Sequence, residues 1–170
     1  AFFYAIVYTV WLKRRTWLNI VFGGLAGSWA VLAGATAADP QLGAVPLALA
    51  LVLFLWTPPH FWSLAIAFRD DYTAAGVPML PVVVGDQRAA NTILFSTLAL
   101  VAASLLPLAF GLGAIYFAGA ASGGFLFIQK AWRLTREPNR KSAMVCFHAS
   151  LMQLTLVLLG AIVDTQLRFW

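Results

Sequence analysis

Trp56-Thr57-Pro58-Pro59-His60-Phe61-Trp62 is the stretch of this chain whose residue types point most directly to chemistry. Two consecutive prolines sit inside a hydrophobic run, and neither has an amide proton. A helix through them leaves the carbonyls of Phe54 and Leu55 without their usual donors. Irregular backbone at membrane depth is tolerated where it lines a cavity or is buried in protein, so a broken helix is expected here. His60 follows at once, and an ionisable side chain beside a helix break in an apolar run is a functional candidate. The structural alternative is that His60 or Thr57 satisfies the released carbonyls. Phe61 and Trp62 add aromatic surface beside it.

Two further clusters carry charge. Arg69-Asp70-Asp71-Tyr72 offers paired carboxylates, and Mg²⁺ is commonly held by one or two carboxylates together with substrate phosphate oxygens. Adjacent side chains on a helix diverge by about 100°, so the pair need not meet on one ion. A solvated loop with an Arg–Asp pair is the alternative. Tyr8, Lys13, Arg14, Arg15, Thr16 and Asn19 form a basic and polar cluster. Cations at a helix end suit a diphosphate as charge partners and donors. They would equally serve as a cationic anchor at a membrane surface. Cys146 and His148 are too few for a zinc site, and His148 reads as a core or interface histidine. The sequence contains no glycine-rich phosphate loop, nucleophile elbow or metalloprotease motif.

The elements that must position these residues follow from composition. Of 170 residues, 62% are hydrophobic and 10% charged, and mean hydropathy is +0.85. Soluble domains carry roughly 45–50% apolar and about 25% charged residues, so a soluble enzyme is excluded. Thirteen Phe and seven Trp exclude a disordered chain. One cysteine excludes an internal disulfide. The expected fold is an all-α, polytopic transmembrane helix bundle forming a single domain over residues 1–170.

A crossing needs about 20 apolar residues. A truncated run covers residues 1–12, and fuller runs cover 17–38, 41–68, 90–110, 112–132 and 143–163: about five complete helices plus one truncated. Asp39-Pro40, Gly111-Leu112-Gly113 and Glu137-Pro138-Asn139 punctuate them as turns. The run at 41–68 is too long for one straight crossing. The chain opens at Ala1 inside an apolar stretch with no charged segment before it, which reads as a cut through a longer protein rather than a signal peptide.

Net charge is +5, and its distribution argues for a membrane rather than nucleic acid. Lys13, Arg14, Arg15, Arg69, Arg88, Lys130, Arg133, Arg136, Arg140 and Lys141 fall in alternate connections, hence on one side. Arg168, Asp39 and Asp164 fall on the other. The positive-inside rule makes the basic side cytoplasmic. Small residues at Gly23/Gly27, Ala26/Ala30/Gly34 and Gly119/Gly123 mark helix-packing contacts rather than chemistry.

Three blocks together resemble a known family: YTVWLKRRTWLNIVFGGLAG (residues 8–27), WTPPHFWSLAI (56–66) and RDDYTAAGVPMLPVVVG (69–85). In order and spacing they are similar to the protohaem IX farnesyltransferases (haem O synthases), of the UbiA-type intramembrane prenyltransferase superfamily. The resemblance implies a nine-helix fold of which this chain holds part of the fourth helix through the ninth. An N-terminal Asn/Asp-rich motif of that family is not in the sequence. Its second acidic motif spaces Asp by four, where Asp70 and Asp71 are adjacent here.

The resemblance further implies transfer of a farnesyl group from farnesyl diphosphate to the 2-vinyl group of protohaem IX, in a bacterial inner membrane, with the active-site mouth cytoplasmic. It implies Mg²⁺ at Asp70 and Asp71, and diphosphate bound by Tyr8, Lys13, Arg14, Arg15 and Asn19. Asp70, Asp71, Lys13 and Arg14 would take the catalytic roles. His60, Phe61 and Trp62 would bind or orient haem, with His60 as a candidate axial ligand. Partners implied are the lipid bilayer and the downstream haem A synthase, and no nucleic acid. Two other readings compete. A prenyltransferase with a quinone-type acceptor leaves the Pro-Pro-His-Phe-Trp setting unexplained. A small-solute transporter would place its charges at mid-membrane.

Overall fold

Asp39 ends the first of the described helices and prepares the second. In the computed structural model, which describes residues 15–167, helix α1 spans Asn19–Ala38 and stops where Asp39 turns extended. Pro40 follows, and the Asp39 carboxylate accepts the Gln41 amide at 2.8 Å. Helix α2 (Ala44–Ala67) then returns antiparallel to α1. Gly24 meets Thr57, Gly27 meets Leu53, and Ser28 Oγ donates to the Ala50 carbonyl at 2.9 Å.

Helix α2 runs unbroken through Pro58 and Pro59, which corrects the expected break. Proline already has a near-helical φ, and its cost lies in the missing donor and local crowding. Hydroxyls bond carbonyls on either side: Thr57 Oγ1 donates to Leu53 at 2.9 Å and Ser63 Oγ to Pro59 at 2.6 Å. Neither Thr57 nor His60 takes up the carbonyls of Phe54 and Leu55. At 1.5 Å per residue α2 is roughly 36 Å long against a hydrocarbon core of about 30 Å. It is longer than a straight crossing, as expected, and a single tilted span accommodates it.

Two short helices follow, α3 (Arg69–Ala74) and α4 (Leu80–Val84). Gly85, at φ 83°, makes the turn into α5 (Asp86–Ala103) in a backbone region that side chains rarely enter. The run expected at 90–110 is therefore longer at its start and interrupted near its end. The chain pauses at Ser104 and resumes as α6 (Leu106–Ala109), where Pro107 has no amide to continue the ladder. Past the Gly111 reversal come α7 (Ala114–Arg136) and α8 (Arg140–Leu167). Asn139 joins them, its side-chain oxygen accepting the Ser142 amide at 2.9 Å as an N-cap.

Helix α2 lies at the centre, packed against α1, α5 and α8, while α7 packs most extensively on α8 and also touches α5. Lipid provides no hydrophobic drive between helices, so close backbone approach matters. A Cβ on Gly119 would lie 2.6 Å from the Leu156 carbonyl oxygen, and one on Gly123 3.0 Å from Gln153 Cα. Gly160 answers from α8, 3.2 Å from Tyr116 Cα. The expected Gly119/Gly123 contact is thus present. A Cβ on Gly34 would meet nothing within 4 Å among the described residues.

Among the described residues, four segments are long and apolar enough to cross a membrane: Asn19–Ala38, Ala44–Ala67, Asp86–Ala109 and Arg140–Leu167. The fifth expected crossing forms helix α7, whose last turns carry Lys130, Arg133 and Arg136. The charged termini gather at one end. Arg69 pairs with Asp86 at 3.1 Å, Gln87 Nε2 donates to the Thr135 carbonyl at 2.9 Å, and the Arg140 guanidinium lies 5.1 Å from the Phe68 ring centre. At the opposite end the Gly113 amide donates to Asp164 at 2.7 Å. Among the described residues there is no strand, and the all-α bundle is as expected.

Candidate active site

Helix α3 begins one residue after α2 ends and opens onto two cavities with different linings. The larger, about 430 Å³, lies between α1, α2 and the α3–α4 connection. Gly23, Gly24 and Gly27 give it depth on the α1 side. Trp56, Thr57 and Phe61 line it from α2, Tyr72 from α3 and Met79 from the connection. Gly23 and Gly27 read from sequence as packing positions, and Gly24, not singled out there, lies beside them in the same lining. Gly24 and Gly27 let α2 approach, and with Gly23 they leave room where side chains would otherwise project. Asn19, fully buried at the start of α1, adds an amide at the mouth.

The second cavity, about 300 Å³, is polar. Asp70, Asp71 and Asp86 line it with Arg69 and Arg140, beneath Phe68. Asp70 and Asp71 are exposed on the first turn of α3 and, despite the helical divergence, both reach this one space. Asp86 was not anticipated. One of its oxygens takes the Arg69 contact, and the other is buried without a partner among the described residues. Its position in the polar interval just before α5 is the signal that could have found it.

No group of three His, Cys, Asp or Glu side chains among the described residues is arranged to enclose a metal. That donor set suits an ion completed by substrate oxygens, which is how Mg²⁺ is commonly bound. Tyr72, next in sequence, turns instead to the apolar cavity, where burial pushes its hydroxyl above its ordinary value and keeps it a neutral donor.

His60, Phe61 and Trp62 diverge around α2 as successive helical residues must. Phe61 faces the large cavity. Trp62 is buried beside Trp17, ring centres 5.9 Å apart, its indole N–H without a partner among the described residues. His60 is buried between Trp56 at 4.0 Å and Phe147 at 4.4 Å, and its Nδ1 meets Ser150 Oγ at 2.7 Å. Ser150 and Phe147 carry no signal in sequence, since they come from α8. His148, expected in a core or interface, is exposed, with Nδ1 on the Met144 carbonyl at 2.7 Å. Arg15 is exposed just ahead of α1, while Tyr8, Lys13 and Arg14 lie outside the described residues.

Residues 1–157 match the model of the UbiA prenyltransferase family. The chain belongs to that family. As a UbiA prenyltransferase chain with four described segments long and apolar enough to cross a bilayer, it is an integral membrane protein. It is 59% identical over 98% of its length to protoheme IX farnesyltransferase 2 of Paramagnetospirillum magneticum, covering 58% of that relative. It is 45% identical to the protoheme IX farnesyltransferase of Thioalkalivibrio sulfidiphilus, over 97% of this chain and 55% of the relative. It is 42% identical to protoheme IX farnesyltransferase 1 of Cenarchaeum symbiosum, over 99% of this chain and 57% of the relative. The chain thus spans somewhat more than half the length of the relatives it matches. No solved structure matches it.

Proposed function

We propose that this UbiA-family chain forms the donor-binding part, and part of the acceptor site, of an enzyme that farnesylates protohaem IX to haem O. The observation that carries the reading is the division made by α3: Asp70 and Asp71 open onto a polar cavity, and Tyr72 onto an apolar one. An amphipathic donor with a diphosphate head and an isoprenoid tail needs both. The apolar cavity, at about 430 Å³, falls within the usual range of small-molecule pockets, about 300–1,000 Å³. The names of the relatives support farnesyl diphosphate as donor and protohaem IX as acceptor.

In this reading the diphosphate rests at the basic end, held by Lys13, Arg14, Arg15, Tyr8 and Asn19. Asp70 and Asp71 would hold Mg²⁺, which supplies neutralisation of the leaving oxygens. The C1–O bond of the donor breaks as the terminal carbon of the haem 2-vinyl group bonds to C1. Water adds to the cation left on the inner vinyl carbon and releases a proton, giving a hydroxyethylfarnesyl substituent. Trp56, Phe61 and Tyr72 exclude water from the allylic cation and offer it ring faces. His60, Phe61 and Trp62 serve the porphyrin. The basic end faces the cytoplasm across a bacterial inner membrane.

The test is the full-length enzyme supplied with farnesyl diphosphate, Mg²⁺ and protohaem IX, with products read by mass. Farnesylated, hydrated haem is the expected product. Turnover of a quinone-type acceptor with none of haem would overturn the assignment. The exposed position of Asp70 and Asp71, past the end of α2 rather than within it, favours this reading over a transporter.

A further inference from the structure

Ser150 has one hydroxyl proton and two polar neighbours. Its Oγ donates to the Phe147 carbonyl, one turn back on α8, at 2.6 Å. A hydroxyl that has directed its proton to one partner can only accept from the other. That other partner is Nδ1 of His60, at 2.7 Å and ninety residues away in sequence. Nδ1 therefore carries the imidazole proton, and Nε2 keeps its lone pair. Nε2 makes no hydrogen bond among the described residues.

The ring has little freedom to turn out of this contact. Trp56 and Phe147 stack on its two faces at 4.0 Å and 4.4 Å, inclined by 20° and 25°. Trp56 is itself pinned, its indole N–H donating to the main-chain carbonyl of Ser150 at 2.8 Å. One residue of α8 thus fixes the imidazole through its side chain and the stacking indole through its backbone. Metal-binding histidines commonly have this arrangement, with the remote nitrogen donating to an oxygen so that the other presents its lone pair.

We propose that Ser150 is a positioning residue: it locks His60 as the Nδ1–H tautomer, so that Nε2 presents its lone pair to the iron of the porphyrin acceptor. The tautomer lock stands on the geometry alone, whereas the iron step rests on the haem reading above. Serine is needed there for its acceptor lone pair. Alanine would release the ring to either tautomer, and threonine would keep the hydroxyl.

The experiment uses the full-length enzyme labelled with ¹⁵N-histidine, the His60 signals being identified by their loss in His60→Gln. Without ligand, the expected spectrum has a protonated Nδ1 and an unprotonated Nε2. The opposite tautomer in the unmodified enzyme overturns the proposal outright, without any variant at Ser150. Ser150→Ala should lose the Nδ1–H preference and Ser150→Thr retain it; unchanged His60 signals in Ser150→Ala overturn the lock. In a haem titration followed by absorption, Ser150→Ala should bind roughly 10–100-fold more weakly, with the KM for farnesyl diphosphate unchanged and Ser150→Thr restoring haem affinity. An Nδ1–H tautomer with haem affinity untouched in both Ser150→Ala and His60→Gln overturns the iron step and leaves the lock standing.

Discussion

A Cβ on Gly24 would lie 3.1 Å from Cβ of Thr57, the residue that precedes the two prolines of α2. The two helices meet there across a single missing methyl group, and the large apolar cavity begins beside that contact. Thr57 cannot easily yield, because its hydroxyl is bonded to the Leu53 carbonyl at 2.9 Å. Anything larger at position 24 must either push α1 away or project into the cavity.

Gly24→Val is therefore expected to discriminate between donors by length. The kcat/KM for farnesyl diphosphate should fall roughly 10–200-fold, the scale of a small steric change in an apolar pocket, while geranyl diphosphate loses less. Steady-state rates with both donors check this. Equal losses would mean that the cavity does not hold the isoprenoid chain.

Asp70→Asn and Asp71→Asn should each lower farnesyl transfer roughly 10–100-fold and raise the Mg²⁺ concentration needed for half-maximal rate. Asp86→Asn mainly removes an ion pair to Arg69, with the two side chains 45% and 27% exposed. It should cost less than about 1 kcal/mol of stability. A Mg²⁺ titration of all three variants separates the two roles. Normal turnover in both α3 variants would remove the diphosphate reading of the polar cavity.

Lys13→Gln or Arg14→Gln should raise the KM for farnesyl diphosphate more than that for haem, because a guanidinium or ammonium group serves the anionic donor. Arg15→Gln should change either constant less. Initial rates with each substrate varied in turn provide the measurement. Equal shifts for donor and acceptor would indicate altered folding or topology instead.

Gly119→Ala and Gly34→Ala make an internally controlled pair for helix packing. The first puts a methyl 2.6 Å from the Leu156 carbonyl oxygen, and the backbone of α7 or α8 must move. Overpacking of this kind costs about 1–3 kcal/mol. The second meets nothing within 4 Å, and by helix propensity should be neutral or favourable by up to about 1 kcal/mol. Thermal unfolding in detergent, followed by loss of helical signal, compares them. A stable Gly119→Ala protein would show that the α7–α8 contact is slack.

Most helices were legible from the sequence because their causes are local. Apolar runs of bilayer length, Asp39-Pro40, the Gly111 reversal and Asn139 each act within a turn or two of where they stand. The α2 prolines misled because their local effect is a missing donor, whereas continuity of that helix depends on hydroxyls nearby and on flanking helices. The acidic pair was visible as a motif. For Asp86 the sequence offered only its place in the same polar interval, because the three carboxylates meet only once α3 and α5 fold to the same end.

By itself the sequence determined that the chain is a helical membrane protein, where most of its long apolar helices lie, and which residues could bear charge or bind a ring. Those properties follow from transfer of side chains between water and lipid, and each residue carries its own preference wherever it is placed. Only the tertiary structure decided what the residues face. His60 was a candidate by type and position, and only the fold sets it between Trp56 and Phe147, bonded to Ser150. Gly27 looked like a packing position, and it both meets Leu53 and borders a cavity. Each outcome depends on the rotation and register of one helix against another. Small shifts there exchange partners ninety residues apart without changing the composition, the periodicity or the span of either helix.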